Sequence, residues 1–125
     1  MSHDRLVHSA WNAVRRGDLD ALQAALTPDA TWRAVEDGPW NCQSREAILD
    51  FLGPNLQRGL SGEVEEVIDV GRRSVVAFRP SDHRAGGWPL DHGVRYVVLS
   101  FRDALISELK GCANRQAALA YAAAQ

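Results

Sequence analysis

The chain reads as an α+β domain, and three observations carry that reading. Apolar residues recur at helical spacing through the first part of the chain, up to Leu26. Four stretches rich in valine, isoleucine and phenylalanine then follow between residues 63 and 112, most of them joined by short turns. An alanine-rich segment behind Asn114 closes the chain. Strands joined by short turns pair antiparallel, and helices segregated from such a sheet define the α+β class.

Each element has its own signal. Over residues 4–16, Leu6, Val7, Ala10, Trp11 and Val14 fall on one face of a helix. Gly17 stops it, because glycine accepts the left-handed conformation at a helix end. Asp18 caps a second helix carrying Leu19, Leu22 and Leu26, which Pro28 ends. Residues 30–36 form the first strand, broken by the Asp-Gly-Pro at 37–39. Ser44 caps a third helix with Ile48, Leu49, Phe51, Leu52 and Leu56, kinked at Gly53-Pro54. Strands follow at 63–70, 74–80, 93–101 and 105–112, and Asn114 caps the last helix. The predicted order is α-α-β-α-β-β-β-β-α, one domain over 1–125 with no repeat or linker.

Composition bounds the function. The chain has 125 residues, 46% hydrophobic and 24% charged, with a net charge of -2. That size supports a core, and that charge gives no footprint for nucleic acid. Arg15-Arg16 and Arg72-Arg73 read as isolated, solvated basic pairs. No apolar run is long enough to cross a membrane, and residues 1–10 lack the apolar stretch of a signal peptide. The expected location is the cytoplasm. Cys42 and Cys112 stand alone, so each is expected as a free, half-buried thiol. No glycine-rich phosphate loop exists, so no cofactor is expected.

Several stretches resemble the SnoaL-like branch of the nuclear-transport-factor-2-like superfamily: "GDLDALQAALTPDATW", "REAILDFL" and "SFRDALISELKGCANRQAALAYA". The resemblance covers nearly the whole chain. It implies a cone, in which a curled antiparallel sheet wraps the N-terminal helices around one deep pocket, a cystatin-like α+β barrel. It also implies a homodimer. Relatives include isomerases, hydrolases, dehydratases, polyketide cyclases and non-catalytic binding modules, so the fold does not select a reaction. The ketosteroid isomerase acid and base positions fall near Ala10, Ala34 or Val35, and Val97, all apolar here. Limonene epoxide hydrolase carries an Arg-x-Asp pair on its penultimate strand, and this chain has Arg95-Tyr96-Val97 there.

Candidate site residues follow from the pattern. Side chains alternate along a strand, so Trp32, Ala34 and Glu36 share a face. If Trp32 lines the cone, Glu36 is a candidate acid or base, against the alternative of a solvated strand end. Arg95 shares a face with Val97 and Leu99, placing a cation at the end of an apolar row. His92 and His83 are candidate proton shuttles. Asp82-His83 and Asp91-His92 match no metal-ligand spacing, so no metal is expected. His3 is expected to fray, and Asp4 with His8 to form a surface i, i+4 pair. Trp11 reads most simply as core, Trp32 as core or pocket wall, and Trp40 and Trp88 lie in loops that could close the pocket mouth or join a subunit interface; all four are candidate ligand contacts. The expected ligand is a small apolar molecule bearing a carbonyl or carboxylate. Two readings stand: a binding or accessory module, and a cofactor-independent isomerase, hydratase or cyclase. The strand at 93–101 is apolar on both faces, so its second face must meet a helix, a ligand or another subunit.

Overall fold

The computed structural model describes residues 3–33, 41–50, 62–80 and 93–124. Helix α1 spans Asp4–Arg16 and ends at Gly17, whose φ of 68° is left-handed. The Gly17 N–H donates to Val14 O at 3.1 Å and the Asp18 N–H to Ala13 O at 2.9 Å, satisfying two terminal carbonyls. Asp18 caps α2 (Leu19–Ala25), its Oδ1 accepting from the Ala21 N–H at 3.0 Å. Residues 45–50 begin α3, capped by Ser44 on the Ala47 N–H at 3.1 Å. Asn114 caps α4 (Arg115–Ala123) on the Ala117 N–H at 2.8 Å. All three capping side chains are the ones the sequence nominated.

The strands are β1 (Leu26–Arg33), β2 (Gly62–Val70), β3 (Arg73–Pro80), β4 (Arg95–Arg102) and β5 (Leu105–Cys112). They form one curled sheet in the order β1-β5-β4-β3-β2, which does not close. The pairs from β2 to β5 are antiparallel, as short turns require. The β1–β5 pair is parallel, which departs from the all-antiparallel expectation. No short turn joins these two strands, so nothing local fixed their direction.

A second departure concerns where β1 begins. Pro28 was expected to stand before the strand, which instead starts at Leu26. Pro28 is tolerated because β1 is an edge strand, where a missing N–H breaks no ladder. The register slips between Leu26 and Thr31 to accommodate it. Leu26 therefore leaves the helical face shared with Leu19 and Leu22. Leu26 is 1% exposed while Leu19 is 37% exposed.

Two apolar layers cover the two sides of this sheet. On the inner side, Val76, Leu99 and Ile106 pack with Val7, Ala10 and Ala13 of α1, Leu22 of α2 and Ile48 of α3. On the outer side, Val75, Ala77, Tyr96, Val98 and Cys112 pack with Ala118 and Ala122 of α4. Strand β4 is thus buried on both faces within one chain. Its second apolar face, read from sequence as needing a partner, is met by α4. No described helix is long and apolar enough to cross a membrane.

Polar contacts hold α4 in place. The Tyr121 hydroxyl donates to Glu108 Oε1 at 2.5 Å. Arg73 Nη1 donates to Tyr121 O at 2.7 Å, and its guanidinium lies 4.7 Å from the Tyr121 ring centre. Arg115 pairs with Glu66 at the other end of the helix. Arg73 was expected to be solvated, but it also donates to Ser100 Oγ at 3.0 Å and is half-buried.

Both hairpins use two-residue turns with left-handed positions. Gly71, at φ 62°, opens the β2–β3 turn, consistent with type II′. The β4–β5 turn places Asp103 at φ 54° and Ala104 at φ 63° between the paired residues Arg102 and Leu105, the type I′ pattern. Alanine is a poor residue there. A left-handed non-glycine residue costs about 1–2 kcal/mol, partly offset by the smaller unfolded-state entropy of alanine. Ala104→Gly should therefore stabilise the protein by about 0.5–1 kcal/mol, read as a raised urea midpoint with unchanged slope.

Burial, and then the hydrogen bond to Glu108, push the Tyr121 hydroxyl above its usual pKa. The folded state thus favours the neutral phenol. That contribution is fully present below the unfolded pKa of about 10 and is lost as pH rises through the folded value. Tyr121→Phe should flatten the loss of stability measured between neutral and strongly alkaline pH.

Candidate functional site

The sheet has two distinct ends. At one end lie both hairpin turns. At the other, β1 finishes at Arg33, β2 begins at Gly62, β3 finishes at Pro80 and β4 begins at Arg95. Helix α1 runs along the inner face, with His3 at its start and Trp11 about two turns along it. His3 meets Ser74, while Trp11 meets Phe78. Eight helical residues cover about 12 Å and four strand residues about 13 Å, so the two contacts are mutually consistent.

The hairpin end is closed by polar contacts. The His3 ring stacks on Phe101 with centres 4.1 Å apart at 21°. Its Nδ1 lies 3.0 Å from Ser74 Oγ, and its main-chain N–H donates to Asp69 Oδ1 at 3.3 Å. His3 is therefore not frayed, contrary to the sequence reading. This Ser, His and Asp set is not a nucleophilic triad. Ser74 is 0% exposed, and its hydroxyl donates to Asp69 Oδ1 at 2.9 Å. The serine proton is spent on the carboxylate, so the imidazole Nδ1–H donates to Ser74 rather than accepting from it. A serine nucleophile needs the opposite polarity. Asp4 and His8 form the expected surface pair at 3.4 Å.

The other end carries a different cluster. Trp11 of α1 lies against Phe78 of β3, with ring centres 4.7 Å apart and planes at 54°. The Arg95 guanidinium lies 5.9 Å from the Phe78 centre. Arg95 and Phe78 are register partners on adjacent strands. Arg95 is only 6% exposed, and burial pulls its pKa below the usual arginine value. Trp11 and Phe78 belong to neither of the two apolar cores. They form an aromatic pair on the inner face of the sheet, next to the buried Arg95. Trp11 Nε1 is buried with no hydrogen-bond partner among the described residues.

The sequence-nominated residues divide accordingly. Trp11 and Arg95 come together, around Phe78. Val97 and Leu99 continue the inner row from Arg95, and both pack with the α1 side. Trp32 is also on the inner side but level with Leu109 and Leu99. That places it about 13 Å along the strands from the Arg95 level. Its main chain exchanges two hydrogen bonds with Cys42, each 2.9 Å. Glu36, Trp40, Trp88, His83 and His92 lie outside the described residues.

Phe78 is the member that sequence reasoning missed. The alternation Ser74, Val76, Phe78 already placed it on one face of "SVVAFRP", but that strand was read only as core. Cys42 and Cys112 are both free and buried. Burial raises both thiols, which disfavours the reactive thiolate. A groove of about 450 Å³ lies on the solvent side of α1, lined by Asp4, Arg5, His8, Ser9, Asn12 and Arg16. It lacks the apolar lining typical of small-molecule sites.

The family profile of the SnoaL-like domain matches residues 5–109. The chain belongs to the SnoaL-like family. No curated protein matches it. Among solved structures it is similar to a proposed polyketide cyclase from Sinorhizobium meliloti, with a TM-score of 0.71 at 20% identity, covering 89% of this chain and 99% of that one. A cystatin-fold protein from Novosphingobium aromaticivorans gives 0.72 at 18%, covering 89% and 97%. An LEH-like epoxide hydrolase from M. tuberculosis gives 0.66 at 16%, covering 94% and 86%. At these identities the likeness of this SnoaL-like chain extends to the fold.

Proposed function

We propose that this SnoaL-like protein binds a small, flat, apolar molecule bearing an oxygen acceptor. The aromatic wall of Trp11 and Phe78 would bury the apolar body, and Arg95 would fix the oxygen. The observation that carries this reading is the position of Arg95: a nearly buried guanidinium 5.9 Å from the centre of the Phe78 ring, at the end of the inner apolar row. The pocket works without chemistry in this reading, as a binding or accessory module. Free, buried cysteines support a reducing compartment such as the cytoplasm.

A second reading, a cofactor-independent cyclase, isomerase or hydratase, rests on the topology. Strand β1 runs parallel to β5 and so heads toward the Arg95 end of the sheet, with Arg33 level with Lys110 and Val98. Glu36 follows Arg33 in sequence and would be the acid or base, with His92 as a shuttle. The polyketide cyclase proposed for the S. meliloti neighbour favours this class. Epoxide hydrolysis, the activity named for the M. tuberculosis neighbour, fits this chain less well. The inner-face residue two after Arg95 is Val97, where that chemistry needs a carboxylate.

Arg95→Met separates these ideas from a structural role. It should weaken binding of an aromatic carboxylate about tenfold or more, since hydrogen bonds to charged groups contribute about 1.5–3 kcal/mol. It should spare a plain hydrocarbon of like size. Equal weakening of both would sink the role of Arg95. Under the catalytic reading, Glu36→Gln should abolish turnover while leaving binding within a few fold. The homodimer implied by the resemblance is retained as part of this proposal, and a monomer mass in light scattering would count against it.

A further inference from the structure

Helix α4 is fastened to the sheet differently from the helices of the inner face. The inner layer interlocks large side chains from α1, α2, α3 and the strands, among them Val7, Leu22, Leu26 and Ile48. The side of α4 that meets the sheet carries two alanines, Ala118 and Ala122, both 0% exposed, with Leu119 and Tyr121 partly buried beside them. Apolar stabilisation scales with the area removed from water, and an alanine removes little. A nine-residue helix is also marginal by itself, so α4 depends on what docks it. Polar contacts do much of that docking. The Tyr121 hydroxyl donates to Glu108 Oε1 at 2.5 Å, Arg73 Nη1 donates to Tyr121 O at 2.7 Å, and Arg115 pairs with Glu66.

The surroundings of α4 make it separable. Val75, Ala77, Tyr96, Val98 and Cys112 pack with it in an apolar cluster distinct from the inner one. Lifting the helix therefore leaves the inner cluster whole. Its connection to β5 is Ala113 and Asn114, both exposed, between Cys112 and Arg115. Rotation at two exposed residues moves the helix without disturbing a packed side chain. The family profile matches residues 5–109, so α4 lies beyond the part of the chain it matches. Strand β4 shows the consequence. Tyr96 and Val98 lose their cover when α4 lifts, while Val97 and Leu99 keep theirs.

We propose that α4 is a detachable strap, which lifts from the outer face as one unit while the sheet and the inner layer stay folded. Its latch is the Tyr121 end, where the hydroxyl bond to Glu108 and the Arg73 contact meet; the exposed Arg115–Glu66 pair contributes less. Openings of this kind involve one cooperative unit and cost less than global unfolding. The device uncovers the apolar outer side of β3 and β4 without disturbing the side that carries Arg95, Val97 and Leu99. The inference stands apart from the pocket reading, because the two concern opposite faces of the sheet.

The test uses the full chain and its own thiols. Cys112 is 5% exposed in the cluster beneath α4, and Cys42 is 7% exposed in the inner cluster. Both are labelled with N-ethylmaleimide in native buffer and assigned separately by mass spectrometry. Dividing the Cys112 rate in the urea-unfolded chain by its native rate gives the protection of that thiol. Protection tracks the population of the open form when closing outpaces labelling. Wild-type Cys112 should be roughly tenfold or more less protected than the global unfolding constant requires. Ile48→Val trims the inner core and should weaken global folding about two- to tenfold, yet leave Cys112 protection within about twofold. Tyr121→Phe keeps the ring, removes the bond to Glu108 and should lower Cys112 protection about tenfold. Cys112 protection that equals the global constant, and falls in step with it in Ile48→Val, means that α4 leaves only when the whole fold does. That result overturns the proposal. Unchanged protection in Tyr121→Phe overturns it as well, since the thiol is then reached by some opening other than the lifting of α4.

Discussion

Everything in this fold depends on a sheet whose middle strands are apolar on both faces. Val98 and Val75 are fully buried on the side of α4, while Leu99 and Val76 are buried on the side of α1. Burying one such side chain is favourable by about 1.5–3 kcal/mol, so neither face can be left to water. The chain answers by placing helices on both sides of one sheet. The N-terminal helices take the inner face and α4 takes the outer. This arrangement fixes which residues of β4 can reach a site. Arg95, Val97 and Leu99 share the inner side, and the even-numbered residues between them are committed to α4.

The two sides are held by different physics. The inner layer is mostly large aliphatic side chains from several elements. The outer layer relies on alanines, with Ala118 and Ala122 fully buried, so α4 approaches the sheet closely but buries little area per residue. Polar contacts make up the difference. Tyr121 links to Glu108 and Arg73, and Arg115 to Glu66. Exposed ion pairs such as the last contribute little individually. The half-buried Arg73, Ser100 and Tyr121 contacts are better placed to matter.

Much of this was legible in the sequence because the signals were local. Caps at Asp18, Ser44 and Asn114 need only a side chain and the next turn of helix. Period-two alternation gave β2 to β5 within a residue or two, and the two-sided pattern of β4 called for a covering element. What was missed is non-local. The parallel pairing of β1 with β5 depends on residues some eighty positions apart in the chain, as Leu26 and Ile106 show. His3 was read as frayed because its partners, Asp69 and Ser74, lie on a distant hairpin. Arg73 was read as solvated because Tyr121 and Ser100 reach it only after α4 docks. Phe78 was visible as an alternating apolar residue. Its contacts with Trp11 and Arg95 became visible only once α1 and β4 were placed against β3. The expected aromatic lining was similarly half right. Trp11 joins Arg95, whereas Trp32 lies with Leu99 and Leu109 in the packed row.

The same reasoning explains why the two ends of α1 can serve different purposes. A helix packed on a sheet must satisfy its polar side chains locally or leave them for something else. At the hairpin end, His3 has a serine and a carboxylate within reach, and the three groups lock the start of α1 to β2 and β3. That lock fixes the axial position of the helix, and with it the height at which Trp11 meets Phe78. A shift of one residue along the axis would move Trp11 by about 1.5 Å and rotate it by about 100°, away from Phe78. The polar contacts at the hairpin end therefore position the Trp11–Phe78 contact further along α1. Rigid support of this kind is what a binding site needs if donors are to be held in place before a ligand arrives. Arg95 is held at that same Trp11–Phe78 level by β4, in register with Phe78 of β3.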